Sequence, residues 1–193
     1  MKYTNVSSIW SKVCAAAVLS LTAYCGCLLL RIHNLKQQNY VLAQEATSHS
    51  LTQGPSIGSI IASLHGRTIS GQRLSVNLSH RETGTLLLVF SPVCPYCKIN
   101  MHNWIDIVKY VPADQTLWAD VTGKINAAFM ESSELPRDAR VIKLDETDSD
   151  SNNFTATPIT IFIAPHGVVR WTAAGVLSAD QVGQLRGLMG AVR

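Results

Sequence analysis

The segment that decides the fold is LLLVFSPVCPYCK, residues 86–98. Its first half belongs to a continuous apolar run, which predicts a central β-strand over residues 85–90 that is covered on both faces. Apolar residues then recur at the i, i+3, i+4, i+7 spacing, which predicts a helix over residues 95–111. The sequence therefore places a Cys-x-x-Cys motif, Cys94 and Cys97, between a buried strand and the start of a helix.

This position of the two cysteines suits dithiol–disulfide exchange. The N-terminal end of a helix stabilises a thiolate, so we expect a lowered pKa for Cys94 at the start of the helix. Cys97 lies four residues before Met101 on the predicted buried face, where burial should keep its pKa higher. Pro95 suits the first helical turn, because the N–H that it lacks would have no partner there. In the expected reaction, the Cys94 thiolate attacks a partner disulfide and Cys97 resolves the mixed disulfide; the reverse reaction oxidises the partner.

Length and composition fit one folded domain with an appendage. The chain has 193 residues, of which 47% are hydrophobic and 15% charged, and its formal net charge is +3. The basic residues form no stripe with interleaved aromatic side chains, which argues against nucleic-acid binding. Only two of the five cysteines lie outside the N-terminal segment, too few for a disulfide framework. The histidines of the domain are isolated and supply no tetrahedral zinc site, so we expect neither a metal nor another cofactor.

The N-terminal segment predicts a membrane anchor. Residues 13–30 carry no charge, and a helix of that length would span roughly 27 Å, close to the hydrocarbon thickness of a bilayer. We assign residues 1–33 to an uncleaved signal anchor with a single transmembrane helix; a cleaved signal peptide or lipoprotein signal is the alternative. The positive charges that flank the run favour a cytoplasmic N-terminus and a domain outside the cytoplasm, on the periplasmic side.

The remainder divides into a polar linker and a mixed α/β domain. Residues 34–59 are rich in Gln, Ser, Thr and Asn and are interpreted as a tether to a domain over residues 60–193. A capping box of Ser178 and Gln181 begins the closing helix. In chain order we predict strands at residues 68–69 and 74–78, the strand and helix of the Cys-x-x-Cys segment, a strand over 116–121, a helix over 124–135, a strand over 140–144, a polar loop over 145–153, strands over 158–163 and 168–172, and a helix over 178–189.

A second motif is TPITIF at residues 157–162, followed by the sequence GVV at residues 167–169 and by Gly175. Together with the Cys-x-x-Cys strand and helix, this order of elements resembles thioredoxin-like proteins over most of residues 60–193. The resemblance is greatest to membrane-tethered TlpA/ResA-like thiol–disulfide oxidoreductases. It implies a three-layer α/β/α domain with a central mixed sheet, and a cis peptide bond between Thr157 and Pro158 beside the active-site cysteines.

The resemblance also implies a function. The chain would exchange the Cys94–Cys97 dithiol or disulfide with protein thiols and disulfides outside the cytoplasm, including a redox partner in the membrane or beyond it. Cys94 and Cys97 would be the catalytic residues. The residues that support or line the partner groove would be Pro95, Tyr96, Thr157 and Pro158.

Three positions depart from the patterns of related proteins. Leu88 stands where thioredoxins carry a buried acid, Asn100 where some cytochrome-maturation reductases carry Glu, and Val93 in place of the usual Trp. The proton acceptor for Cys97 is therefore open between water and Lys98.

Two other functions are compatible with parts of the pattern. A thiol peroxidase of the peroxiredoxin type would need Pro seven and Thr three residues before its reactive cysteine, where this chain has Leu87 and Ser91. A non-enzymatic thioredoxin-like domain that senses redox state or binds a partner would need no exchange activity.

Overall fold

The computed structural model describes residues 54–190 and four helical residues nearer the N-terminus, Tyr24, Gly26, Arg31 and Ile32. The rest of the predicted transmembrane helix and residues 34–53 of the predicted linker lie outside the described residues. Within the described residues, no helix combines the length and the apolar character that a membrane span requires.

Residues 54–59, which the sequence assigns to the linker, contact the domain. The backbone N–H of Gly58 donates to the carbonyl of Val169 (2.8 Å), and the Val169 N–H donates to the carbonyl of Ser59 (2.9 Å). Ile60 forms an antiparallel bridge with Val168. Gly58 and Ser59, which make these hydrogen bonds, precede the predicted domain boundary at residue 60.

Seven strands form one mixed sheet in the order β2-β1-β5-β4-β3-β6-β7. Strand β3 runs parallel to β4 and antiparallel to β6, β4 runs parallel to β5, and the remaining pairs are antiparallel. The central mixed sheet that the sequence predicts is therefore confirmed. The strands are β1 (Ser63–Arg67), β2 (Arg73–Asn77), β3 (Thr85–Phe90), β4 (Thr116–Asp120), β5 (Val141–Leu144), β6 (Ile159–Ile163) and β7 (Val169–Ala174).

Within residues 54–190, four helices accompany the sheet: α1 (Pro95–Val108), α2 (Ala127–Ser132), α3 (Glu146–Ser151) and α4 (Ala179–Gly190). Two short 3-10 turns lie at Ala113–Gln115 and Pro165–Gly167. The capping box that the sequence predicts at the start of α4 is present. The Ser178 N–H donates to Gln181 Oε1 (2.9 Å), and the Gln181 N–H donates to Ser178 Oγ (3.3 Å).

The core consists of one apolar cluster on each face of the sheet. Alternate residues of β3 enter different clusters, so that Leu87 and Val89 join one while Leu88 and Phe90 join the other. Every residue of β3 is consequently buried, as the continuous apolar run predicts. Side chains of α1 and α4 pack on the second of these faces. The position of the residues that follow β3, including the two cysteines, is therefore set by a strand that is packed on both faces.

Trp104 ties α1 to the sheet. Its side chain is fully buried, and its Nε1–H donates to Thr160 Oγ1 on β6 (2.8 Å). The Trp104 ring also makes an edge contact with Trp118 of β4, with 5.7 Å between ring centroids. The helix that begins at the cysteines is therefore anchored to two strands.

Two predicted elements are wrong. Residues 68–69 form the turn of the β1–β2 hairpin, in which the Thr68 N–H donates to the Gln72 carbonyl (2.8 Å). The strand precedes that turn and is hard to recognise because it contains Gly66, where a Cβ would lie 2.0 Å from the Lys143 carbonyl oxygen. The predicted loop at 145–153 contains α3. Two carboxylates in its first turn, Glu146 and Asp148, favour the helix, because the N-terminal end of a helix attracts negative charge.

Candidate active site

Cys94 is the N-cap residue of α1. Strand β3 ends at Phe90, and a turn closed by a hydrogen bond from the Cys94 N–H to the Ser91 carbonyl (3.1 Å) delivers the thiol to the helix start. Pro95 occupies the first helical turn, as the sequence predicts. The Cys94 side chain is partly exposed. A partner can therefore reach its sulfur from solvent.

The Thr157–Pro158 loop lies against Cys94. The antiparallel register pairs Val89 with Ile159, which places the residues before β6 beside those after β3. The peptide bond between Thr157 and Pro158 is cis, which confirms the expectation from the resemblance. The Cys94 Sγ–H donates to the carbonyl oxygen of Thr157 (3.3 Å). Two motifs separated by 63 residues in the chain thus meet at one sulfur atom.

Cys97 is buried in the first turn of α1, with only 2% of its surface exposed. The backbone N–H of Ser91 donates to its sulfur (3.5 Å). The Cys94 and Cys97 thiols are also near enough for each to affect the pKa of the other. The two thiols are therefore close, free and unequal in their access to solvent.

The environment separates the pKa values of the two thiols. Partial burial by itself would raise the pKa of Cys94, but hydrogen bonds from the Thr157 side chain, the Cys97 thiol and backbone, and the Tyr96 backbone outweigh it and lower that pKa. Burial raises the pKa of Cys97 to about 12, against a smaller lowering by the Ser91 N–H. Both directions agree with those expected from the sequence. Cys94 is thus the better nucleophilic candidate at neutral pH.

Three large apolar side chains within five residues of Cys94 in the chain are exposed. Val93 is 64% exposed, Tyr96 51% and Ile99 49%. Of the other residues predicted to line a partner groove, Thr157 is half-buried and Pro158 is buried. Tyr96 and Thr157 are therefore accessible to solvent, whereas Pro158 is not.

A cavity of about 290 Å³ adjoins Cys97. Phe90, Met101 and Phe129 supply apolar walls, and Lys98 and Glu134 supply charged ones. This cavity was not predicted from the sequence, because the residues from α2 and the loop after it approach Cys97 only in the folded domain. Cys97 therefore lines the same cavity as two charged side chains.

Asp120, at the end of β4, is a fully buried carboxylate. One oxygen accepts hydrogen bonds from the Thr122 N–H (2.9 Å) and hydroxyl (2.7 Å), and the other accepts from the Ile125 N–H (2.7 Å). Both oxygens are therefore engaged by the loop between β4 and α2. Asp120 fixes that loop, and we give it no part in the chemistry of the thiols.

Asn100 is a buried polar residue that the sequence identified only as a departure from a pattern. Its Oδ1 accepts a hydrogen bond from the backbone N–H of Leu177 (2.9 Å). The signal in the sequence was an amide three residues after Cys97, on a helix face that is otherwise apolar.

In the described part of the chain, no group of three or more His, Cys, Asp or Glu side chains is placed to hold a metal ion.

No family model matches the chain, and no curated protein is similar to it in sequence. Solved structures are similar in fold. A candidate thiol:disulfide interchange protein DsbE from Chlorobium tepidum has a TM-score of 0.56 at 15% identity, over 72% of this chain and 99% of that one. A DsbF homologue from Corynebacterium diphtheriae has a TM-score of 0.55 at 11% identity, over 68% and 87% of the two chains. The thioredoxin domain of a thiol-disulfide oxidoreductase from Bacteroides vulgatus has a TM-score of 0.51 at 14% identity, over 72% and 99%. These similarities establish a thioredoxin-like fold.

Proposed function

We propose that this chain is a thiol–disulfide oxidoreductase that exchanges the Cys94–Cys97 pair with partner proteins. One observation carries the proposal. The partly exposed Cys94 thiol, with its lowered pKa, lies between the buried Cys97 and the carbonyl of Thr157 at a cis-proline loop. The fold neighbours, which are described as thiol–disulfide oxidoreductases, support the same general activity.

In the reducing direction, the Cys94 thiolate attacks one sulfur of a partner disulfide. That disulfide breaks, a mixed disulfide with Cys94 forms, and the departing partner thiolate takes up a proton. Cys97 then loses its proton and attacks the sulfur of Cys94. The second step leaves a Cys94–Cys97 disulfide and a partner dithiol, so that two electrons pass to the partner. The same steps in reverse oxidise a partner.

Removal of the proton from Cys97 is unfavourable at neutral pH, because burial raises the pKa of that thiol to about 12. We propose that it leaves through the cavity that Cys97 lines, to water in that space. Lys98 and Glu134 both line the cavity, and their opposite charges would have opposing effects on the thiolate that remains.

The partner is proposed to be a protein. Val93, Tyr96 and Ile99, all within five residues of Cys94 in the chain, expose apolar surface. A polypeptide that carries a disulfide can cover such surface, and its burial favours association by roughly 25 cal/mol per Å². A small polar disulfide would gain little from it.

We further propose that residues 1–33 anchor the protein in a membrane and hold the domain outside the cytoplasm. The uncharged run at residues 13–30 supports this location. The test is extraction of membranes at alkaline pH, followed by proteolysis of intact cells or spheroplasts. Recovery of the chain in the soluble fraction would contradict the anchor, and protection from external protease would contradict the orientation.

The exchange activity is tested with the full chain in detergent, after replacement of Cys14, Cys25 and Cys27 by Ser to leave only the two domain cysteines. We expect this background to reduce insulin disulfides in the presence of a small-molecule dithiol. Adding Cys94→Ser should abolish the activity, and adding Cys97→Ser should trap a mixed disulfide that a reductant releases. Activity that survives Cys94→Ser would refute the proposal. Peroxide consumption without insulin reduction would instead indicate the peroxidase alternative.

A further inference from the structure

Asn100 is fully buried on the face of α1 that carries Cys97. Its Oδ1 accepts two hydrogen bonds, from the Leu177 backbone N–H (2.9 Å) and from Asn103 Nδ2 (3.2 Å). Its own Nδ2 has no hydrogen-bond partner within the described residues. Burying an amide is unfavourable unless hydrogen bonds compensate for the lost water. The compensation here comes from the segment that follows β7.

Leu177 is held at both ends of its backbone. Asn100 accepts from its N–H, and Asn103 Nδ2 donates to its carbonyl (3.1 Å). Asn100 and Asn103 are one helical turn apart, so both side chains can reach a single residue of the neighbouring segment. The Leu177 side chain is itself buried in the apolar cluster between α1 and the sheet. The segment after β7 therefore cannot move relative to α1 without breaking these contacts.

The same segment holds the cis-proline loop. Two residues before Leu177, the N–H of Gly175 donates to the carbonyl of Pro158 (2.7 Å). Gly175 has a φ of 87°, a conformation that glycine adopts without strain. The neighbouring carbonyl, that of Thr157, accepts from the Cys94 thiol (3.3 Å). A closed ring of contacts thus runs from Cys94 through the Thr157–Pro158 loop, Gly175 and Leu177 to Asn100, and back along α1.

We propose that Asn100 is a positioning residue of the exchange site, which holds the Thr157–Pro158 loop against Cys94 through Leu177 and Gly175. The inference rests on the proposed exchange function and adds a residue to it. The hydrogen bonds of Asn100 described above are to Leu177 and Asn103, and not to either thiol. It acts by fixing the separation between the helix that bears the cysteines and the loop that hydrogen-bonds to Cys94.

A neutral amide suits this position better than a carboxylate. The Oδ1 of an Asp would accept the same Leu177 hydrogen bond but would add a negative charge to the helix that begins at the thiols. Like charges that are close together disfavour ionisation, so an acid here would oppose formation of the Cys94 thiolate. An amide can therefore hold the segment without this electrostatic penalty.

The test is the pH dependence of iodoacetamide alkylation of Cys94 in the reduced full chain, with Cys14, Cys25 and Cys27 replaced by Ser. Asn100→Ala frees the Leu177 N–H and should loosen the loop, so that the hydrogen bond from the Thr157 side chain no longer lowers the pKa of Cys94. We expect the midpoint of the profile to rise, with alkylation at pH 7 about threefold slower or more, which corresponds to half a pKa unit.

The control is Asn77→Ala, which removes an amide with the same number of accepted hydrogen bonds at an exposed position. Asn77 Oδ1 also accepts two hydrogen bonds, from the His80 N–H (3.2 Å) and the Ser79 hydroxyl (2.9 Å), but lies at the end of β2 and outside the ring of contacts. This variant should lose stability without moving the alkylation profile. Asn103→Ala, at a less buried position, should shift the profile in the same direction as Asn100→Ala but by less.

An unchanged profile in a folded Asn100→Ala variant would overturn the inference. If that variant does not fold, an unchanged profile in Asn103→Ala overturns it, as does an equal shift in Asn77→Ala. Failure of the inference is distinct from failure of the proposed function. The latter would appear as a chain with a normal Cys94 profile that reduces no protein disulfide.

Discussion

Selective alkylation of the two thiols is the most direct consequence of the site. Cys94 has a pKa below its ordinary value of 9.0, and burial raises that of Cys97 to about 12. At pH 8 the Cys97 thiol is therefore ionised to about one part in 10⁴, whereas Cys94 is ionised to about a tenth or more. A thiolate of higher pKa is the better nucleophile, by about 20-fold over three pKa units, which reduces the difference. The net preference for Cys94 is about 50-fold or more, before the burial of Cys97 is counted.

The assay compares iodoacetamide alkylation rates of Cys94 in a Cys97→Ser variant and of Cys97 in a Cys94→Ser variant at pH 8. Peptide mass spectrometry of the reduced protein, with Cys14, Cys25 and Cys27 replaced by Ser, should show the modification on Cys94 alone at early times. Unfolding in urea is the internal control, because it should make the two rates nearly equal. Rates that agree within about threefold in the folded variants would refute the assignment of Cys94 as the nucleophile and Cys97 as the resolving thiol.

Three further predictions test the surroundings of the thiols. Thr157→Val removes the hydroxyl that helps to lower the pKa of Cys94, so the alkylation of Cys94 at pH 7 should become slower. Thr155→Val, at an exposed position nearby, is the control and should leave the rate unchanged. Equal rates in the two variants would contradict this role of Thr157. Trp104→Phe removes the hydrogen bond to Thr160 and should lower the free energy of unfolding, measured in urea, by about 1–3 kcal/mol. In a Thr160→Val background the same substitution should cost much less. If the costs of the two substitutions simply add in the double variant, the hydrogen bond does not contribute. The raised pKa of Cys97 means that the unfolded reduced chain binds fewer protons than the folded one between about pH 9 and pH 12. Its contribution to stability should be complete below the unfolded pKa and fall by up to about 1.4 kcal/mol per pH unit above it. This alkaline loss should be smaller in Cys97→Ser, and parallel curves for the two proteins would contradict the burial of an un-ionised thiol.

The parts of the fold that could be predicted are those in which local pattern and tertiary packing agree. The apolar run before Cys94 is buried on both faces because a cluster lies on each side of β3, and the capping box at Ser178 needs only residues within one turn. Strand β1 was misplaced because its pairing with β5 depends on a glycine that only the partner strand requires. Helix α3 was missed because a cluster of carboxylates is also typical of a solvated loop.

The candidate site shows the same division. The positions of Cys94, Cys97 and the Thr157–Pro158 bond follow from two motifs whose spacing resembles a known family. The function of Asn100 could not be predicted, because its partner Leu177 lies 77 residues away in the chain. The cavity beside Cys97 is lined by residues from β3, α1 and the end of α2, and no periodicity within one element indicates that they meet.

The hydrogen bonds of residues 58 and 59 to Val169 bear on how the domain avoids self-association. Strand β7 lies at the edge of the sheet, where unpaired backbone groups can recruit a strand from another molecule. Gly58 and Ser59 occupy the outward-facing N–H and carbonyl of Val169 and so cap the beginning of that edge. A shortened protein that starts at residue 60 would leave this N–H and this carbonyl without those partners, at an edge where a strand from another molecule can pair.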